Sequence, residues 1–511
     1  MSSPTFLSSP ADRLVVLANG RAIKRNALPE LSCEEFQQAI LDGVDRDYRV
    51  AALFGTADAD PSIVHVYVIL ADDQQSRLRI GKTQIVGDRF TSLTPKCPQV
   101  HLFERELAEQ FGLEAEGHPW LKPVRFQPPL RETRAGPRPL IGMTDFFQVE
   151  GAEIHEVAVG PVHAGVIEPG HFRFQCHGEH VFHLEISLGY QHRGVERAMI
   201  GGPTLRSIHF AETLAGDTTV GHAIAYCQVL EALAKCQKTP RAQTLRGIAL
   251  ELERLANHVG DLGALAGDVG FLPTASYCGR LRGDFLNMTA TLCGSRFGRG
   301  LIRPGGVGFD VDASMVTDLL KRLDDAEKDC TGAINLLWDS PSVMARFEDA
   351  GSVSLEIARD LGLVGPAARA SGLHRDVRND QPFGIFRFAH IPVSTVESGD
   401  VFARAYIRWL EIQQSIDFLR EQFRALPLGS VRTEIKNLAA NHIAVALTEG
   451  WRGEICHVAL TDSNGRFERY KVVDPSFHNW PGLAYALRNQ QISDFPLCNK
   501  SFNLSYCGHD L

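Results

Sequence analysis

Apolar and polar positions alternate most clearly between Gly160 and Arg197. Phe172, Phe174 and Cys176 fall at period two, Gly178 marks a turn, and Phe182, Leu184, Ile186 and Leu188 resume the alternation, so the stretch predicts a β-hairpin with one apolar face. The segment entering it, His163 to His171, mixes Gly165, Glu168, Pro169 and Gly170 with two histidines, the composition of a loop held into a cavity. Upstream, Val64, Val66, Val68 and Leu70 predict a strand over Ser62–Leu70. Phe103, Leu107 and Phe111 then recur every four positions before Gly112, predicting a short helix followed by a loop at Gly117-His118-Pro119. Downstream, a helical pattern over Thr204–Cys236 ends before Pro240. A second helix carries Leu245, Ile248, Leu252, Leu255, Val259 and Leu262 on one stripe, and Leu281–Arg299 and Ser314–Trp338 read as two more. Four such helices predict a bundle over the hairpin sheet. Gly365–Phe383 reads as an arginine-rich loop and Val401–Leu426 as another helix. The end of the chain reads as strand and loop, with strands at Glu454–Leu460 and Arg466–Val473 and then Asp474–Leu511.

The fold class this implies is α+β. A small α/β domain covers residues 1–125, a linker rich in proline and arginine covers 126–141, and a helix bundle on small β-sheets covers 142–511. Composition narrows the function classes. The net charge of −9 and the lack of a basic run argue against a nucleic-acid partner. No apolar run reaches the roughly eighteen residues that span a bilayer, and Met1–Gly20 lacks a leader pattern, so a chain soluble by itself is expected. Eleven cysteines are scattered with no two in C-x-x-C spacing, which points to a reducing compartment and away from a disulfide framework or an iron–sulfur or zinc site in this chain.

Candidate chemistry centres on the hairpin, which with its flanks holds six of the nineteen histidines. His177, His180 and His183 stand beside an exposed turn and read as surface residues. His192, Arg193 and Glu196 in QHRGVER read as a buried polar network at a strand-to-helix corner. Arg303, Arg369, Arg375, Asp376 and Arg378 read as holding loops around a cavity.

The stretches GPVHAGVIEPGHFRF, LGYQHRGVER, ELERLANHVGDLGALAGDVG, LIRPGGVG, ARASGLHRDVRND and DPSFHNW, in this order, resemble two relatives. One is the large subunit of membrane-bound, energy-converting nickel–iron hydrogenases of the formate hydrogenlyase type; the other is the quinone-site subunit of respiratory complex I. The N-terminal FERELAEQFGLEAEGHPWL resembles the peripheral subunit that accompanies it, here fused. In the hydrogenases two C-x-x-C pairs hold the metals, because soft thiolates suit them. Those positions fall on Ala215, Thr218, Ser505 and Gly508, with Cys507 one residue out of register. In complex I a tip histidine and a tyrosine hold a quinone headgroup, and an aspartate on the long helix partners the histidine. The resemblance carries these to His171, Asp268 and Gly216, and it carries the hydrogenase proton gate to Glu168. A carboxylate near His171 would favour its protonated form, making the pair a proton relay near neutral pH.

The resemblance therefore implies a nickel-free oxidoreductase-type subunit of a membrane-associated, multisubunit complex, active only within that complex. It would bind no cofactor of its own. Electrons would come from an iron–sulfur cluster in a small partner subunit, antiporter-like membrane subunits would move protons or ions, and a quinone is a possible acceptor. Its place would be the cytoplasm, on the inner face of the cell membrane. The alternatives are a catalytically degenerate structural coupling subunit and, third, an active hydrogenase.

Overall fold

The N-terminal alternation builds a sheet. In the computed structural model, which describes residues 9–131, 140–164 and 167–511, the first strands are β1 (Val15–Leu17), β2 (Arg21–Lys24), β3 (Glu30–Leu31), β4 (Arg49–Ala57), β5 (Ile63–Asp72) and β6 (Arg77–Val86). All but β2 share one sheet, ordered β1-β6-β5-β4, with β3 parallel to β6. Val64, Val66, Val68 and Leu70 of β5 are buried as expected. Helix α1 (Cys33–Asp45) begins in a capping box formed by Ser32 and Glu35. After a short strand β7 (Arg89–Thr91), α2 (His101–Phe111) buries Phe103, Leu107 and Phe111 and ends at Gly112, whose φ of 60° is the left-handed conformation of a helix stop. Strand β8 (Glu114–Glu116) then pairs with β7. Of the linker expected over 126–141, residues 132–139 lie outside the described residues. Arg131, just before them, donates to the carbonyls of Phe111, Pro61 and Gly87.

The predicted hairpin is β10 (His171–His177) and β11 (His180–Ser187), and β9 (Ile154–Val159), which the pattern did not suggest, pairs with β10 on its other side. One detail departs from strict alternation. The register shifts between Gln175 and Cys176, so Cys176 pairs with Val181, Gln175 with His183, and Phe182 bulges out. Val181 is therefore buried and Phe182 is 44% exposed.

The expected long helix over Thr204–Cys236 is broken. After α3 (Val195–Met199), the chain forms α4 (Ser207–Glu212), a loop over Thr213–Thr218, and α5 (Thr219–Leu233). Two helices follow, α6 (Pro240–Asp268) and α7 (Leu272–Cys293). Beyond the small hairpin β12 (Ile302–Arg303) and β13 (Gly306–Val307) lies α8 (Ala313–Trp338). The arginine-rich region contains short helices α9 (Pro341–Phe347), α10 (Leu355–Asp360), α11 (Gly365–Ala370) and α12 (Val377–Asp380) before α13 (Val401–Arg424). Every residue of the α6 stripe is buried. The bundle consists of α6, α7, α8 and α13, since α6 packs on α7 and α13, and α8 packs on the same two. α5 is buried almost all round and lies instead on the next sheet.

That sheet has the order β16-β15-β14-β2, with β14 (His442–Gly450), β15 (Gly453–Thr461) and β16 (Phe467–Val473). Its edge strand β2 comes from the N-terminal segment, pairing Arg21–Lys24 with His442–Val445. A second tie is ionic: the buried ammonium of Lys471 on β16 donates to both carboxylate oxygens of Glu106 on α2, at 2.7 and 2.6 Å. The C-terminal region expected to be loop is mostly helical: α14 (Pro475–Ala486), α15 (Phe495–Phe502) and α16 (Tyr506–Asp510). Asp474 and Ser505 cap α14 and α16 through side-chain oxygens, and Pro475 stands at a first-turn position of α14 that needs no N–H. Among the described residues, no helix is long and apolar enough to cross a membrane.

Candidate functional site

The break between α4 and α5 creates one wall of the site, and the loop entering α16 creates the other. Two arginines join them. Arg193 donates to the carbonyls of Thr213 (2.6 Å), Leu214 (2.9 Å) and Cys507 (3.2 Å). Arg452 donates to the Asn503 carbonyl (2.5 Å), to both carboxylate oxygens of Asp217 (2.6 and 2.8 Å) and to the Thr218 hydroxyl (3.2 Å). The two loops that carry the four singled-out positions are therefore tied together, and Ala215, Thr218, Ser505 and Gly508 are all buried.

Their chemistry is already committed. Ala215 offers a methyl group. The Thr218 hydroxyl donates to Asp217 (3.1 Å) and accepts from the Trp451 indole N–H (3.1 Å). The Ser505 hydroxyl accepts the Gly508 N–H (2.9 Å), closing the first turn of α16. A Cβ on Gly508 would lie 2.7 Å from the Asp474 carboxylate and 2.9 Å from the Ser505 oxygen, so the carboxylate fills the room a side chain there would need. Burial, reinforced by the adjacent Glu168, pushes the Cys507 thiol up to about 11, which keeps it protonated near neutrality.

The loop joining β9 to β10, called the tip below, reaches this place through Glu168, whose carboxylate accepts the Tyr506 N–H at 3.2 Å. Gly170 lets the tip lie against the Tyr506 ring, since a Cβ there would stand 2.7 Å from it. Gly165 lies outside the described residues. His171 and Asp268 are not brought together: among the described residues no hydrogen bond or ion pair joins them. His171 takes a hydrogen bond from Arg173 (3.3 Å), approaches the Gly160 carbonyl (3.4 Å) and packs on Phe146. Burial holds its imidazolium below the usual range, the opposite of what a paired carboxylate would do. Asp268 stands exposed at the last turn of α6. Gly216 is exposed with open space where a side chain would go.

A carboxylate–imidazole pair does exist, elsewhere. Asp474 lies 3.0 Å from His222 Nε2, with both side chains almost fully buried directly beneath Gly508. Burial opposes ionisation of Asp474, but the His222 hydrogen bond and the nearby Arg452 outweigh it and hold the carboxyl below its usual range. Beneath the other loop, Glu253 accepts the N–H groups of Val220 (2.7 Å) and Gly221 (3.1 Å), and burial pushes its carboxyl up to about 8. Asp474 lies in the stretch DPSFHNW, but 252 residues separate it from His222, and no periodicity links positions so far apart.

The remaining candidates have structural partners. His177 pairs with Glu153 and is exposed; His180 is exposed; His183 packs on Phe147. His192, Arg193 and Glu196 do not form the single buried network expected. His192 approaches the Asp510 carbonyl (2.7 Å), Arg193 is exposed apart from its three carbonyls, and Glu196 pairs with Arg469 and Lys471, because the corner is braced by three different elements. Arg303 binds Glu212, and Arg375 binds Asp47. Arg369 binds Glu411 and Glu449, and Arg378 binds Glu251 and Asp376, forming a buried lattice that joins α11 and α12 to α6, α13 and β14. Among the described residues no group of three or more His, Cys, Asp or Glu side chains could hold a metal ion.

Comparison with known proteins adds the following. Residues 268–444 match the family described as respiratory-chain NADH dehydrogenase, 49 Kd subunit, and residues 32–134 match the family of its 30 Kd subunit. The chain is 32% identical over 351 residues to the carbon monoxide-induced hydrogenase of Rhodospirillum rubrum, covering 68% of this chain and 97% of that protein. It is 28% identical over 459 residues to formate hydrogenlyase subunit 5 of Escherichia coli, covering 86% and 81% of the two chains. It is 30% identical over 369 residues to NADH-quinone oxidoreductase subunit 4 of Thermus thermophilus, covering 67% and 90%.

Proposed function

Because this chain belongs to the family that unites the 49 Kd subunit of respiratory-chain NADH dehydrogenase with hydrogenase subunits such as those above, and carries a 30 Kd-type segment ahead of it, we propose that it is a subunit of a membrane-associated oxidoreductase complex that works without a nickel–iron centre. One observation supports this reading. The two loops that would supply thiolates meet, but they present a methyl group, two engaged hydroxyls and a glycine whose side-chain space holds the Asp474 carboxylate. Protonated hydroxyls are hard, weak ligands, so this donor set does not fit nickel and iron.

In this reading the electrons come from an iron–sulfur cluster in a small partner subunit, and membrane subunits move protons or ions. The space between the Glu168 tip and the two loops receives the electron acceptor, a quinone being the nearest chemical class. This chain's share is to shape that space and to hold beside it a proton at Glu253, whose carboxyl burial pushes up to about 8, and an ionised carboxylate at Asp474. The experiment is to isolate the intact complex and offer it quinones and other acceptors. Reduction of an added quinone that is lost in Asp474→Asn, with the complex still assembled, supports the reading.

A second reading, a structural coupling subunit, is favoured by the contact of the tip with the α16 loop through Glu168 and Tyr506, which could pass a rearrangement of the tip to neighbouring subunits. It predicts an assembled complex whose electron flow is indifferent to Asp474→Asn and to His171→Ala or Asp268→Ala.

A further inference from the structure

Away from the two loops, a cleft of about 640 Å³ opens where the N-terminal segment meets the hairpin and α14. The N-terminal segment contributes Arg105 of α2 and Trp120, which follows β8; the rest of the chain contributes Leu184 and Ile186 of β11 and Trp480, Ala484 and Tyr485 of α14. Its size is that of a small-molecule site, and its walls are largely apolar and aromatic. Trp120 and Phe147, both lining it, meet edge-on with ring centres 6.0 Å apart.

The polar groups of this cleft are unevenly matched. Among the described residues its one acid is Glu185, and that carboxylate is already engaged. One oxygen accepts from the Lys122 ammonium and from the Trp120 indole N–H (3.1 Å), and the other accepts the Phe147 N–H (2.7 Å). Donors are left over. Arg105 donates through Nε and Nη2 to the carbonyls of Lys122 (2.8 Å) and Pro123 (3.1 Å), but among the described residues its Nη1 has no acceptor and its guanidinium no carboxylate partner. Burial pushes that guanidinium down to about 10, an effect that Glu185 and Glu109 reduce without cancelling. Trp480 is 3% exposed, and among the described residues its indole N–H has no acceptor. An unpaired donor in a desolvated place is costly, and a charged one more so. These groups therefore select an occupant that brings oxygen acceptors and negative charge.

We propose that the cleft binds a planar aromatic anion of about two fused rings, with its carboxylate on Arg105 and a ring oxygen on the Trp480 N–H. Aromatic walls favour a flat ring, and the guanidinium fork suits a carboxylate. The cleft is distinct from the space between the loops. Trp480 links the two, because its ring meets that of Tyr506 edge-on at 4.9 Å. Such binding is independent of the redox reading above.

The test is calorimetric titration of the full chain with 6-hydroxy-2-naphthoate and two comparators. One is 2-naphthol, which lacks the carboxylate; the other is 2-naphthoate, which lacks the ring oxygen. One molecule per chain is expected, with a dissociation constant below about 1 mM. The naphthol should bind about tenfold or more weakly and 2-naphthoate about threefold or more weakly, because a bond to a charged group is the stronger. Ala484→Trp, which adds a ring to the cleft wall, should abolish binding. Trp480→Phe keeps a ring and removes the N–H, so it should erase the advantage of the ring oxygen. Arg105→Gln should erase the advantage of the carboxylate; should that variant fail to fold, the ligand series and the other two variants decide. The proposal is overturned by an absence of saturable binding, by the naphthol binding as tightly as the acid, by binding that survives Ala484→Trp, or by a ring-oxygen advantage kept in Trp480→Phe. Binding by the free chain that the assembled complex lacks would also overturn it, because a neighbouring subunit would then fill the cleft.

Discussion

Replacing Glu106 by Gln should loosen the joint between the N-terminal segment and the rest of the chain. Glu106 lies on α2 and is 1% exposed; Lys471 lies on β16 and is 0% exposed. The carboxylate takes two hydrogen bonds from the Lys471 ammonium, at 2.7 and 2.6 Å, and an ion pair from Arg125. Glu196, the second acid of the cluster, is shared between Lys471 (3.1 Å) and Arg469 (2.9 Å). Two carboxylates therefore face three cations, and the amide leaves three cations facing one carboxylate. Breaking a buried pair by removing one partner costs about 3–5 kcal/mol, a large share of the roughly 5–15 kcal/mol that holds a folded protein together. Lys471→Met should be milder, because Glu106 keeps Arg125 and Glu196 keeps Arg469. The double variant should be less destabilised than the sum of the two singles by about 1 kcal/mol or more. Urea unfolding of the four chains of this cycle, followed by circular dichroism, measures it. A loss below about 0.5 kcal/mol for Glu106→Gln, or strict additivity, would refute the argument that this charge cluster holds the joint.

Further outcomes follow from the same physics. The Glu253 carboxyl, raised by burial to about 8, keeps a proton that the unfolded chain gives up near pH 4.3. The unmodified chain should therefore lose stability relative to Glu253→Gln as pH rises between those values, on the order of 1 kcal/mol per pH unit. Unfolding midpoints that differ equally at pH 5 and pH 8 would contradict this. Burial works against ionisation of Glu251 and Glu411, but their arginine partners outweigh it and hold both below the usual range. Their contribution is thus present above the unfolded carboxyl range and lost as pH falls from it through the lowered folded values, and Glu411→Gln should flatten the acid limb of a pH–stability curve. Gly508→Cys, the substitution that restores a thiol at this position, places its Cβ 2.7 Å from the Asp474 carboxylate and should lower the melting temperature by an amount equivalent to about 1–3 kcal/mol. Gly216→Tyr meets open space and should leave the melting temperature nearly unchanged, so a drop equivalent to more than about 1 kcal/mol would contradict the geometry.

What was legible in the sequence was local. The α6 stripe, the β5 alternation and the Gly112 stop are each set by residues a few positions apart, and each appears where the pattern places it. The bulge at Phe182 was hidden because an extra residue reverses the phase of alternation without changing composition. The break over Thr213–Thr218 was read through as helix because Leu214 and Ala215 continue the apolar pattern, although Gly216 and Asp217 interrupt it; Arg193, from the turn before α3, satisfies the Thr213 and Leu214 carbonyls. The C-terminal helices carried a signal that alternation alone does not weigh, namely capping residues Asp474 and Ser505 and a proline at the start of α14. The site illustrates the same limit. Ala215, Thr218, Ser505 and Gly508 were placed by the resemblance alone, on two loops that Arg193 and Arg452 bridge, whereas the carboxylate–imidazole pair is Asp474 with His222, a contact between segments that only the folded chain brings together.

The proposed function requires that the two bridged loops hold no nickel–iron centre. Elemental analysis of the intact, active complex tests it most directly. Iron from the partner's clusters is expected with nickel far below one atom per copy of this chain, and electron transfer to an acceptor undiminished by nickel-free growth. One nickel per chain, lost together with activity when nickel is withheld, would contradict it.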